Sequence, residues 1–233
     1  MIYPCLSYYN EQFSTLYGYL RRPEGPARGI VLLIPVLDSV KEEVAAYEPL
    51  YLERGLATFC FDGPGQGEGF AVGCLRPDFE VVVAAVLEAL GTVPDLPLDR
   101  LAVLGKSLGG YYALRSAVLP EVRVAVSVGG CGHFGRNWTH FSVHTREAFA
   151  ARSGALDEDA ARQKAALYTI EPVAHAIRAK VLVVHGGQDP IFPIGEVDAL
   201  AALLGPQVEV VVYEEGNHVC NNLHTVERPA TAD

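Results

Sequence analysis

Short, nearly unbroken apolar runs recur along this chain at 29–34, 56–61, 100–104, 180–185 and 208–213, with the more alternating Val122 to Val128 between them. Runs of this length, bounded by glycine, proline or charge, are the mark of strands buried on both faces of a parallel sheet. The intervening segments carry helical spacing: one from Ser39 to about Arg54, opened by Ser39 with Glu42 as a capping box, then 77–91, 107–118 and 194–204. Residues 3–9 and 13–21 place Tyr, Leu and Phe in partial alternation and end at Arg22-Pro23-Glu24-Gly25-Pro26, which predicts an antiparallel edge hairpin and a turn. The whole pattern predicts an α/β chain with a doubly wound, mostly parallel β-sheet and helices on both faces.

From Gly129 to about Ile170 the buried-strand pattern disappears. His133, Phe134, Trp138, His140, Phe141 and His144 take its place, followed by a charged helical stretch from Asp157 to Tyr168. This predicts an inserted helical lid over about 130–170 in a single domain spanning 1–233. A last helix is expected from Arg228-Pro229, and with Asp233 only a few residues beyond, that element is expected to be incomplete.

Composition narrows the function. Half of the 233 residues are apolar, enough for one sizeable core. The net charge of −10, with no Lys/Arg cluster, argues against a nucleic-acid surface. Gly29 to Leu37 is the longest uncharged apolar stretch, far too short to cross a bilayer, and the amino terminus lacks the basic flank and apolar run of a leader. A soluble cytoplasmic protein is expected, with no membrane partner. The five cysteines, Cys5, Cys60, Cys74, Cys131 and Cys220, are scattered in mostly apolar company and are expected to be buried free thiols.

The chemistry gathers around Gly105-Lys106-Ser107-Leu108-Gly109, where an apolar strand breaks and restarts as a helix. A serine oxygen projects for attack only from such a tight turn, with small residues on either side. The helix N-terminus behind it points unpaired N–H groups at a developing oxyanion, so Leu108 N–H is the first expected donor. A glycine-rich turn with an ordinary surface serine is the alternative, and partners decide between them. Asp189 follows the strand Val181 to His185, and His218 follows the strand Val208 to Tyr213. Both therefore fall at carboxyl ends of strands, where ligands bind in such sheets, in the order serine, acid, histidine. Asp38 and Asp62 precede the serine, Asp198 lies within a helix, and no Asp or Glu occurs between Glu121 and Glu147. His185 reads as a core histidine and His175 as helical. His133, His140 and His144 with Cys131 could be drawn as metal ligands, but no carboxylate nearby completes the set, so no metal is expected. Asp62-Gly63-Pro64-Gly65-Gln66-Gly67-Glu68-Gly69 lacks the phosphate-cradle spacing, and Pro64 removes a needed N–H, so a folded loop at the site rim is expected.

These motifs resemble the α/β-hydrolase superfamily, and within it the branch of 2,6-dihydroxypseudooxynicotine hydrolase, the FrsA-like esterases and the fungal polyketide-shortening hydrolases. The residues carrying the resemblance are Asp38 to Glu43, Phe61 to Glu68, Gly105 to Ala113, Gly129-Gly130, and Gly216-Asn217-His218 with Cys220 and Asn222. It spans roughly residues 14–233. It implies Ser107 as nucleophile, Asp189 as acid and His218 as base, with Leu37 N–H as the second oxyanion donor. Those relatives carry a helical amino-terminal domain that contributes to the pocket and to dimerisation, so a homodimer is one expectation, although this chain begins almost at the first strand. The carbon–carbon-cleaving member uses an extra acidic residue early in its lid, where this chain offers His133, Arg136 and His140.

The resulting expectation is a cofactor-independent serine hydrolase that forms an acyl-enzyme. Its small-molecule substrate is a carboxylic ester of an aromatic or apolar compound bound against His133, Phe134, Trp138, His140 and Phe141. Hydrolysis of a ketone carbon–carbon bond, in an acylphenol or β-diketone, ranks second. A non-catalytic binding protein on the same fold is the reading of another class.

Overall fold

In β3 (Gly29–Ile34) every residue is buried, and its side chains divide by parity: Ile30, Leu32 and Ile34 enter one core, Val31 and Leu33 the other. This two-sided burial is why the run is apolar without interruption. A computed structural model of the protein describes residues 6–8 and 16–233, and shows the same largely buried pattern in β4 (Leu56–Asp62), β5 (Leu101–Lys106), β6 (Val122–Val128) and β7 (Lys180–Gly186), whereas β8 (Val208–Tyr213), at the edge of the sheet, is only partly buried despite its apolar run. Preceding them, β1 (Leu6–Tyr8) pairs antiparallel with β2 (Leu16–Arg21), which pairs antiparallel with β4. The sheet order is β1-β2-β4-β3-β5-β6-β7-β8, parallel from β4 onward. The edge hairpin is thus present in the described residues; the rest of the stretch that predicts it lies outside them.

Register aligns the carboxyl ends. Ile34 stands beside Gly105, Lys106 beside Val128, Val128 beside Val184, and Gly186 beside Tyr213. The loops leaving β3, β5, β6, β7 and β8 therefore emerge along one rim.

The first crossover departs from its expected helix. It forms α1 (Lys41–Val44), a 3-10 turn at 45–47, and α2 (Glu48–Glu53), with Pro49 in the first turn of α2. Ser39 does not cap α1: its hydroxyl meets the Glu43 carboxylate, and Val40 is the N-cap residue without a side-chain bond. The carboxylate of Asp62, at the end of β4, instead accepts the Lys41 N–H at 2.8 Å. A capping group 21 residues away replaces the local one.

Further on come α3 (Glu80–Gly91), α4 (Leu108–Ser116), α5 (Val143–Ser153), α6 (Glu158–Ala165), α7 (Gly195–Leu204) and α8 (His224–Ala232). Ser142 caps α5 through the Thr145 N–H, and Asp157 caps α6 through the Ala160 N–H at 2.7 Å. Both lie in the helical insertion between β6 and β7. The last helix starts at His224, earlier than expected, with Pro229 inside it. The 3-10 turn His218–Leu223 feeds straight into this helix, so the proline marks no boundary. Cys60, Cys131 and Cys220 are buried as expected, whereas Cys74 is exposed in the loop before α3; Cys5 lies outside the described residues. Among the described residues no helix is long and apolar enough to cross a membrane.

Candidate active site

Ser107 occupies the one-residue turn between β5 and α4 with φ 54° and ψ −120°. A non-glycine residue held there costs of order 1–3 kcal/mol, which the flanking strand and helix must offset. The turn closes only because its neighbours lack side chains. A Cβ on Gly105 would lie 1.8 Å from the Gly109 carbonyl oxygen, and one on Gly109 2.5 Å from that of Pro35. The first turn of α4 therefore lies directly against the loop that follows β3. Ser107 as a whole is 8% exposed.

Two other strand ends bring an imidazole and a carboxylate to this hydroxyl. Ser107 Oγ lies 2.9 Å from His218 Nε2, and His218 Nδ1 lies 2.8 Å from Asp189 Oδ2. The Asp189 side chain is fully buried; its other oxygen accepts the N–H groups of Ile191 at 2.8 Å and Phe192 at 3.1 Å. Burial pushes the Asp189 carboxyl up, but the hydrogen bond and charge of His218 and the two backbone N–H groups outweigh it, holding the pKa below the usual aspartate value. An ionised carboxylate only accepts, so Nδ1 carries the donated proton and Nε2 presents its lone pair to the serine O–H. That is the tautomer a general base needs. Deeper in, buried His185 has its Nε2 2.9 Å from the Phe192 carbonyl oxygen and 4.0 Å from Asp189 Oδ2.

The segment after His218 is unusual. Val219 and Cys220 both adopt left-handed backbone, with φ 54° and 51°. Asn217 and Asn222 brace it reciprocally: the Asn217 N–H donates to Asn222 Oδ1 at 2.9 Å, and the Asn222 N–H to Asn217 Oδ1 at 3.2 Å. Asn222 Nδ2 also donates to the Glu215 carbonyl at 2.8 Å. No spacing rule for catalytic residues gives these asparagines a role; they enter the sequence reading only as part of the motif that carries the resemblance and as residue types common in turns.

Leu108 opens α4 beside the serine and Leu37 sits in the loop after β3, both buried. That loop is fastened by Gln66, whose Nε2 donates to the carbonyl oxygens of Pro35 at 3.1 Å and Val36 at 3.0 Å. Asp62 is fully buried against Lys41, 2.9 Å from its Nζ, and accepts the N–H groups of Lys41 and Glu68. It is therefore engaged away from His218.

The residues expected to line a substrate pocket separate into two groups. Phe134, Trp138 and Phe141 are buried in an aromatic cluster with Phe149, Tyr168 and Phe192, and Phe192 packs 5.7 Å from the His218 ring. Their rings are largely spent on one another and reach the imidazole through Phe192. His140 is exposed; His133 instead lines a cavity of about 290 Å³ with Arg136, Glu171, Glu196 and Leu200. Burial, and then the charge of Arg136, push the His133 pKa below its ordinary value. Glu196, on α7, supplies a carboxylate that no nearby sequence position offers: it accepts from Asn137 Nδ2 at 2.9 Å and from the Gly132 N–H at 3.3 Å. No group of three or more His, Cys, Asp or Glu side chains among the described residues is arranged to hold a metal ion.

A model of the prolyl oligopeptidase family matches residues 78–230, and the chain belongs to that family of α/β hydrolases. It is similar to the 2,6-dihydropseudooxynicotine hydrolase of Paenarthrobacter nicotinovorans, 36% identical over 220 residues that cover 92% of this chain and 59% of that protein. It is 44% identical over 108 residues to the 20-hydroxy-prefusarin hydrolase FUS2 of Gibberella moniliformis, covering 43% of this chain and 26% of the relative. Among solved structures, that of 2,6-dihydroxy-pseudo-oxynicotine hydrolase superposes with a TM-score of 0.92 at 33% identity, over 98% of this chain and 66% of the other. The chain spans less than two thirds of the length of each of these relatives.

Proposed function

We propose that this member of the prolyl oligopeptidase family is a cofactor-independent serine hydrolase in which Ser107 is the nucleophile, His218 the general base and then acid, and Asp189 the group that orients and charges the imidazole. The observation carrying the proposal is the continuous path from Ser107 Oγ to His218 Nε2 and from Nδ1 to Asp189, at 2.9 and 2.8 Å. His218 takes the hydroxyl proton as Ser107 attacks the carbonyl carbon, and Leu108 and Leu37 N–H groups bind the oxyanion. The imidazolium returns the proton to the leaving group, and the acyl-enzyme forms. Water then attacks the acyl-enzyme, activated by the same imidazole, and a carboxylic acid leaves.

The substrate class we infer is a carboxylic ester of a small aromatic or apolar compound. Phe192, packed beside the imidazole and backed by the buried aromatic cluster of the insertion, makes the immediate surroundings of His218 apolar, which favours an aryl or mid-sized apolar group. The second reading, cleavage of a ketone carbon–carbon bond, draws support from Glu196 near His133 and from the relative named 2,6-dihydropseudooxynicotine hydrolase. It requires a proton donor for a carbanion leaving group. Its surroundings push the His133 pKa down, which disfavours the protonated form that would have to act as the acid. Ester cleavage needs only His218, and we rank it first.

The deciding experiment offers purified protein short-chain aryl esters beside an acylphenol and a β-diketone, with Ser107→Ala as the blank. Serine-dependent hydrolysis fastest on an ester supports the proposal. Faster release of acid from the ketone would install the second reading.

A further inference from the structure

The Asp62–Gly69 loop takes no part in the reaction just described, yet it holds both ends of the segment that supplies the second oxyanion donor. At the far end Asp62 accepts the Lys41 N–H at 2.8 Å. At the near end the Gln66 amide donates to the carbonyls of Pro35 and Val36. Because both partners are carbonyl oxygens, the side-chain nitrogen must face them and the orientation of the amide is fixed. The described peptides are all trans and planar, so the Val36 carbonyl and the Leu37 N–H are opposite ends of one rigid unit. Holding that carbonyl towards Gln66 turns the Leu37 N–H the other way.

We propose that Gln66 is a positioning residue that aims the Leu37 N–H at the oxyanion formed on the carbonyl that Ser107 attacks; this rests on the serine-hydrolase reading above. A second observation separates it from ordinary loop packing. Gln66 is completely buried, and its Oε1 has no hydrogen-bond partner. Burying an unpaired acceptor is unfavourable, and an apolar side chain of the same length would fill the space without that penalty. The amide is explained by its N–H donors. The loop they hold also abuts the nucleophile turn, since Gly109 and the Pro35 carbonyl touch. Gln66 touches neither substrate nor reacting atoms, and acts through the Val36–Leu37 peptide.

The test compares wild type with Gln66→Met, which keeps length and removes the donors, and Gln66→Glu, which keeps shape and replaces the amide with an acceptor. The measurements are kcat and KM on an aryl ester, affinity for an aryl boronic acid that forms a tetrahedral adduct on the serine, and the unfolding midpoint. Deleting an oxyanion donor outright costs roughly 10²–10³ in kcat. Misaiming one is expected to lower kcat by about ten- to a hundredfold, with KM within about threefold and boronate affinity falling in parallel with kcat. Leu37→Pro, which deletes the N–H itself, should leave Gln66→Met with no further effect. The proposal is overturned if folded Gln66 variants keep kcat and boronate affinity within threefold of wild type. Failure of both to fold also overturns it, because the residue would then be structural. If wild-type protein has no Ser107-dependent esterase activity, the serine-hydrolase reading itself fails; wild-type activity with indifferent Gln66 variants rejects only this inference.

Discussion

Two aspartates, Asp62 at the end of β4 and Asp189 after β7, stand at the same rim with fully buried side chains. Each accepts two backbone N–H groups, Lys41 and Glu68 in one case, Ile191 and Phe192 in the other. They differ in the third partner. Asp62 faces the Lys41 ammonium at 2.9 Å, which also meets Glu68 and Glu42; burial opposes that charge, but the three carboxylates hold its pKa above the usual lysine range. Asp189 faces the imidazole of His218, whose other nitrogen reaches Ser107. A permanent cation makes a strut; an imidazole whose second nitrogen meets a serine hydroxyl is placed to act, in the proposed reaction, as a proton relay. Two buried, N–H-bound carboxylates thus serve architecture in one loop and, in the proposed reaction, chemistry in the other.

Breaking the Asp189 side of the comparison should have the largest effect. Ser107→Ala and His218→Ala are each expected to lower kcat by roughly 10⁴–10⁶, and Asp189→Asn by about 10⁴, with combinations losing little more than the worst single variant. Steady-state kinetics of the singles and the triple check this, and additive losses would mean that the three do not act together. On the Asp62 side the sign of the contrast reverses. Lys41→Met strands a buried carboxylate, so the unfolding free energy in denaturant titration should fall by about 3–5 kcal/mol. Its kcat should stay within about tenfold of wild type, and the double variant Lys41→Met, Asp62→Asn should recover part of the lost stability. An Asp62→Asn protein of normal stability but without turnover would reverse the roles assigned to the two aspartates.

The smallest effect is in pH dependence. The folded pKa of Asp189 lies below the ordinary aspartate value of 3.8, so its contribution to stability is fully present above that value and is lost as pH falls through the lower folded pKa. Comparing denaturant titrations at pH 5 and pH 3, wild type should lose more stability than Asp189→Asn. An equal loss would mean that the carboxyl has no depressed pKa.

The sheet was legible because strands buried on both faces must be apolar at every position, as Ile30, Val31, Leu32 and Leu33 are. Ser107, Asp189 and His218 were legible because each follows an apolar strand, and the structure brings the three side chains together. What sequence did not disclose is carried by contacts between distant residues. The cap expected from Ser39 is supplied by Asp62 through the Lys41 N–H, and the carboxylate missing from the insertion arrives from α7 as Glu196. Gln66 lies 30 positions from the Val36 carbonyl it holds. The aromatic positions 134, 138 and 141 were expected to line the pocket, but apolarity alone does not say which side a ring faces, and the structure buries them in an internal cluster.

The most direct test of the contrast between the two rim loops is labelling with a fluorophosphonate probe followed by mass mapping of the adduct. Native wild-type protein should carry the adduct on Ser107 alone; Lys41→Met should label at a comparable rate, and His218→Ala and Asp189→Asn far more slowly. No adduct on native wild-type Ser107, or labelling of His218→Ala at the wild-type rate, would contradict the account.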